Sequence, residues 1–104
     1  MTSSIQLLHW GAPKQIKTMI TNRHGGFSQA PFDSLNLGLH VGDDPDAVKA
    51  NRARLSQHFR VPIQYMNQVH GADVRHIDKV IPDPTVDALI TMTPGLGLAV
   101  MVAD

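Results

Sequence analysis

Six histidines stand among these 104 residues. His70 and His76 lie on either side of Gly71. In one unbroken strand they would share a face, because side chains repeat every second residue. Imidazole is a common zinc ligand and also a common polar filler. A structural zinc takes four ligands and a catalytic one typically three, so the pair leaves a metal role and a structural role both open. His24 and His40 fall in glycine-rich stretches, and His9 and His58 in ordinary surroundings, His58 on a solvent-facing helix side. Arg23-His24-Gly25-Gly26 has the form of an anion-binding turn. Glycines let backbone approach a ligand, and an arginine supplies a bidentate charge. A tight hairpin with an exposed arginine explains the same residues. Leu96-Gly97 is not a phosphate loop, since no Gly-Lys-Ser/Thr follows.

The elements that must position these groups are mixed. Ile16–Thr21 is β-branched and alternating and predicts a strand. It runs into the turn Asn22–Gly26, then a long irregular loop, Phe27–Gly42, of a length usually tied to function. A helix is predicted from Pro45 to about Phe59. Asp43 and Asp44 offer an N-cap, Pro45 suits the first helical position, and Asp46 complements the helix dipole. The pair could bind a cation, but the cap explains them more simply. Val48, Leu55 and Phe59 form one apolar face that also carries Asn51 and Arg52. A buried, unpaired amide costs roughly 1–3 kcal/mol, so Asn51 needs a partner and would tie the helix to a loop. Arg52 either reaches a cleft or carries its charge out to water. Pro62 marks the stop. Strands are predicted over Tyr65–Val69, Val74–Val80, Asp87–Thr91 and Leu96–Val102. The last is nearly all apolar, as a strand buried on both faces would be.

Composition narrows the function classes. Nine Lys and Arg balance nine acids, which argues against a nucleic-acid surface or a polybasic membrane anchor. Every acid is Asp, and there is no Glu to serve as a general base. Cysteine is absent, which excludes disulfides and thiolate ligands within these residues. No basic start with an apolar run marks a signal peptide, and no stretch approaches the ~20 residues of a membrane span. A cytoplasmic protein is expected.

Several segments together resemble one family. They are Thr21–Ser28, Ser34–Asp44, Val48–Leu55 with Asn51-Arg52, Asn67–Val74 with Gln68-Val69-His70-Gly71, Asp87–Thr91 and Ala103-Asp104. In this order they resemble the YfiH-like family, also called the multicopper polyphenol oxidase or laccase-domain family. The resemblance implies an α+β fold of mixed β-sheets with flanking helices. It implies zinc-dependent phosphorolysis of purine nucleosides (inosine, adenosine, guanosine and methylthioadenosine), with adenosine deamination. The partners implied are purine nucleosides and phosphate. The cofactor implied is a zinc ion held by two histidines and a cysteine. His70 matches the first histidine, as metal ligand and catalytic residue. The cysteine follows an Ala-Asp pair in the family, and Ala103-Asp104 are the last residues here. The second histidine, in a His-Ala-Gly-Trp-Arg-Gly segment, would lie further on. Residues 1–104 are therefore expected to be the N-terminal portion of a single, truncated YfiH-like domain. Zinc with an open position polarises a bound group or lowers the pKa of bound water to about 7. Arg23 and Arg52 are the candidates for anion or ribose contacts, and Asn36 and Gln68 for polar substrate contacts.

Two other readings compete. One is an inactive fragment kept as a folding or interaction module. The other is an editing hydrolase that removes a wrong amino acid from a peptidoglycan precursor. Laccase chemistry is disfavoured: a blue-copper site needs a His₂Cys set and multicopper oxidation many more histidines, and no such cluster occurs in these residues.

Overall fold

The computed structural model describes residues 5–8, 10–11 and 13–102. Six strands and one helix are present among them: β1 Ile5–Leu8, β2 Thr18–Thr21, α1 Pro45–Phe59, β3 Ile63–Gln64, β4 Val74–His76, β5 Ala88–Ile90 and β6 Gly97–Leu98. The strands form three two-stranded sheets, so the class is α+β with mixed pairing. The chain divides into two compact units, Met1–Arg54 and Leu55–Asp104. No helix of the described residues is long and apolar enough to cross a membrane.

In the first unit β1 and β2 are antiparallel, with Ile5 opposite Thr21 and Leu8 opposite Thr18. The expected strand over Ile16–Thr21 is therefore present in its last four residues. No element is assigned to residues 1–10 from sequence. Ile5–Leu8 becomes one because β2 supplies its ladder. Trp10 Nε1 donates to Thr18 Oγ1 at 2.7 Å beside that ladder. Residues 22–44 then run without regular structure into α1. The helix has the bounds its sequence signals imply. Asp44 caps it by accepting the Asp46 amide at 3.0 Å. Val48 and Asn51 are fully buried on its inner face. Leu35, from the loop, is the other buried apolar residue of this unit among the described residues.

In the second unit the helix stops at Phe59, and Arg60 takes the left-handed conformation with φ 58°. A residue with positive φ just past the last turn is a common helix terminator. The chain thus turns before Pro62 is reached. Ser56 Oγ then donates to the Val61 carbonyl at 2.6 Å. β3 and β6 pair in parallel, as do β4 and β5. Leu55, Tyr65, Met66 and Ile77 are buried apolar side chains here, and Pro84 is buried with them.

Two expectations are corrected. Tyr65–Val69 is not a strand, since the ladder forms one step earlier at Ile63–Gln64. Tyr65 and Met66 are buried without it, and the Asn67 amide turns aside to the Pro84 carbonyl at 2.8 Å. Leu96–Val102 is not a strand buried on both faces. Only Gly97–Leu98 forms a strand, and Leu98, Val100 and Val102 are 40%, 64% and 84% exposed. A parallel strand is buried when layers cover both faces of its sheet. β6 has β3 as its one neighbour. Val74–Val80 and Asp87–Thr91 shorten to Val74–His76 and Ala88–Ile90 for the same reason: each has a single partner strand.

Candidate functional site

In the first unit a polar network gathers the long loop onto α1. Asn51 Oδ1 accepts the Phe27 amide at 2.7 Å. Its Nδ2 faces Ser28 Oγ at 2.9 Å and the carbonyls of Ser34 and Asn36 at 3.2 and 2.8 Å. Ser28 Oγ in turn donates to Asp43 Oδ2 at 2.5 Å. Asn36 Nδ2 reaches the same oxygen at 3.1 Å and the Gly38 carbonyl at 3.2 Å. Asp43 Oδ1 accepts the Asp44 amide at 2.7 Å. The donors converging on Asp43, Ser28 foremost, hold its carboxyl below the ordinary aspartate range. Of the two aspartates considered as a cap, Asp44 is the cap and Asp43 is the loop's anchor.

The sequence candidates of this unit surround that network. The Arg23 carbonyl accepts the Ser34 and Leu35 amides at 2.6 and 2.7 Å, while its side chain is exposed. Arg52 Nε donates to the Leu37 carbonyl at 2.8 Å, so its guanidinium braces the loop from the helix. Arg54, two residues further on, also bonds this segment, with Nη1 on the Gly25 carbonyl at 2.7 Å and its guanidinium carbon 4.4 Å from the Phe27 ring centroid. Such an arginine–aromatic contact is attractive through the ring quadrupole. The guanidiniums of Arg52 and Arg54 are thus anchored on this segment, and Arg23 stands exposed in the turn before the loop. Their charges can balance an anion, and the loop's glycines let backbone approach one.

In the second unit Gln68 and His70 are exposed in the segment before β4. His70 has φ 59°. His76 ends β4, so the two histidines do not stand on one strand and share no strand face. Asp87 ties this segment down. Its Oδ1 accepts the Val69 amide at 2.8 Å and its Oδ2 the Gly71 amide at 2.9 Å. Gln68 Nε2 lies 3.4 Å from the Asp87 carbonyl oxygen. Deeper in this unit the buried Gln64 closes a second set of bonds. Nε2 donates to the carbonyls of Tyr65 and Ile81 at 2.7 and 3.0 Å, and Oε1 accepts the Ile81 amide at 2.8 Å.

Ser28, Gln64 and Asp87 have no special standing in the sequence, because their partners lie far along the chain. Asn51 does, through its place on an apolar helix face. His9, Ala103 and Asp104 lie outside the described residues. Among the described residues no three His, Cys, Asp or Glu side chains converge as metal ligands. His70 contributes one imidazole, so the donor set present does not make a zinc site.

Residues 17–104 match the model of the family described as multi-copper polyphenol oxidoreductase laccase. A purine nucleoside phosphorylase of Pseudomonas aeruginosa is 44% identical over 99 residues, covering 91% of this chain and 39% of that protein. One from Mycobacterium tuberculosis is 50% identical over 96 residues, covering 86% and 38%. The crystal structure of a Neisseria meningitidis protein superposes with a TM-score of 0.89 at 41% identity, covering 97% of this chain and 42% of that one. The Bacillus licheniformis protein YfiH superposes at 0.69 with 27% identity, covering 81% and 37%. The chain spans about two fifths of the length of the curated relatives it matches. With the family model matched from residue 17 onward and the fold shared with YfiH, the chain belongs to the YfiH-like, laccase-domain family and represents its N-terminal part.

Proposed function

We propose that this chain is the N-terminal portion of a single-domain purine nucleoside phosphorylase. The observation that carries the reading is identity of 44–50% across about nine tenths of the chain to proteins so named. In phosphorolysis a phosphate oxygen bonds to C1′ of the ribose as the bond from C1′ to the purine nitrogen breaks. The site must hold an anion and stabilise an electron-deficient sugar. Arg23 and Arg52 are assigned to the phosphate or ribose, and Asn36 and Gln68 to polar substrate contacts. Arg23 and Gln68 are exposed, which suits a group that meets a ligand. Arg52 and Asn36 are bonded to the loop, which suits groups held in place before a ligand arrives.

His70 is assigned the catalytic position. The zinc implied by the resemblance would take it as one ligand of three. The remaining donors are not among the described residues, so the ion is assigned no step. The reading extends to adenosine, guanosine and methylthioadenosine as substrates and to deamination of adenosine, in a cytoplasmic protein.

The test is release of hypoxanthine from inosine by the purified protein, with and without phosphate. Phosphate-dependent release supports the reading. Ammonia release from adenosine tests the deaminase extension. Absence of phosphate-dependent release overturns the phosphorylase reading. Hydrolysis of a peptidoglycan precursor carrying the wrong amino acid would then favour the editing hydrolase, and turnover of neither would favour an inactive module.

A further inference from the structure

We infer that Asp87 is a positioning residue that sets the conformation of the His70 turn. The inference rests on the reading that His70 acts on substrate. The two amides flanking His70 in the chain, those of Val69 and Gly71, both point at one carboxylate, one to each oxygen, at 2.8 and 2.9 Å. Hydrogen bonds to an ionised acceptor are the strong kind. The Gly71 bond fixes the peptide plane that follows His70, and the Val69 bond fixes the plane between Gln68 and Val69. The turn is therefore held on both sides of the Val69–His70 pair, which limits the backbone conformations open to His70.

His70 needs such support. Its φ of 59° lies in the left-handed region, which a non-glycine residue enters only when its surroundings hold it there. Asp87 is itself anchored: its amide donates to the Asp73 carbonyl at 3.0 Å, just before the register β4–β5 begins at Val74 opposite Ala88. The carboxylate therefore projects from a secured point in a parallel ladder back onto the turn. Gly71 leaves room for it. A Cβ at that position would stand 3.0 Å from Asp87 Oδ2, tighter than ordinary contact.

The chemistry separates this role from simple bracing. A carboxylate offers an acceptor to each amide. Asparagine keeps one acceptor oxygen, and alanine keeps none. The experiment uses the ¹⁵N,¹³C-labelled chain and its D87N, D87A and H70A variants. It reads amide hydrogen exchange at Val69 and Gly71 and the ¹³Cα and ¹³Cβ shifts of His70, which report its backbone conformation. In D87A exchange at both amides is expected to rise about tenfold or more, and the His70 shifts to leave their left-handed values. The Val48 and Asn51 amides of α1 should stay protected. D87N should fall between the two chains, and it decides the matter if D87A does not fold. H70A should keep both amides protected, since the clamp holds the backbone and not the imidazole. Unchanged His70 shifts in D87N and D87A, or unchanged exchange at both amides, overturns the inference. Inosine phosphorolysis is read in the whole protein that contains this chain. Its absence there counts against the phosphorylase reading alone, because exchange and shifts decide the clamp without it.

Discussion

Asn51 and Phe27, 24 residues apart in the chain, are joined by a 2.7 Å hydrogen bond from the Phe27 amide to the buried Asn51 Oδ1. The same side chain serves Ser28, Ser34 and Asn36 through Nδ2. One amide thus closes the backbone of the loop that carries Arg23 and Asn36. Asn51→Ala would strand the Phe27 amide and the Asn36 carbonyl, while the Ser34 carbonyl keeps the Ser28 amide at 2.9 Å. With each unsatisfied buried group costing roughly 1–3 kcal/mol, and some recovered by water, a loss of about 3 kcal/mol is expected. Urea unfolding measures it. A loss below about 1 kcal/mol would mean the loop finds other partners.

Gly26 lies against this network with no space for a side chain. A Cβ there would stand 2.2 Å from the Ser34 carbonyl oxygen, 2.6 Å from Asn51 Oδ1 and 2.6 Å from Leu35 Cα. Two of these are backbone atoms that cannot swing aside. Gly26→Ala is expected to cost about 3 kcal/mol or more, at or above the upper range of overpacking. Thermal unfolding against the unmodified protein tests this, and an unchanged Tm would refute the close approach.

The helix was legible because its signals are local: the cap, Pro45 and the apolar spacing all fall within one stretch of sequence. Asn51 was legible as a residue needing partners, since it interrupts the face made by Val48 and Leu55. Its partners were not, because they lie 15 to 24 residues away on an irregular loop. Asp87 was hidden for the same reason, its two amides being 18 and 16 residues distant. Four strands, β2, β4, β5 and β6, were located but drawn too long, β3 was placed too late in the chain, and β1 was missed. Apolar runs report what a segment could bury, whereas ladder length depends on which strands meet it. Leu96–Val102 shows the difference, with its sequence apolar and its Val100 and Val102 exposed.

Gln64 repeats the Asn51 design in the second unit. It is fully buried and binds the Tyr65 carbonyl and both polar backbone groups of Ile81. Gln64→Leu keeps most of the volume and removes all three bonds. A loss of about 2–3 kcal/mol is expected, since the stranded backbone groups bear the desolvation cost. Equilibrium unfolding in urea reads it. Neutral or improved stability would show that water or a rearranged backbone takes over those groups.

Asp43 gives the network a pH dependence whose sign can be worked out. Ser28 Oγ, Asn36 Nδ2 and the Asp44 amide all donate to its carboxylate, and they lower its pKa in the folded protein. A lowered folded pKa means the unfolded chain takes up a proton first as pH falls. The stabilisation is therefore complete at neutral pH, above the unfolded aspartate value of about 4, and drains away below it. Asp43→Asn removes that charge. The variant is expected to unfold more easily than the unmodified protein at pH 7, and the gap is expected to narrow steadily between about pH 5 and pH 2.5. Paired urea titrations across that range measure the gap. A gap that stays constant or widens toward acid would show that the three donors do not favour the ionised carboxyl, and that Asp43 holds the loop without its charge.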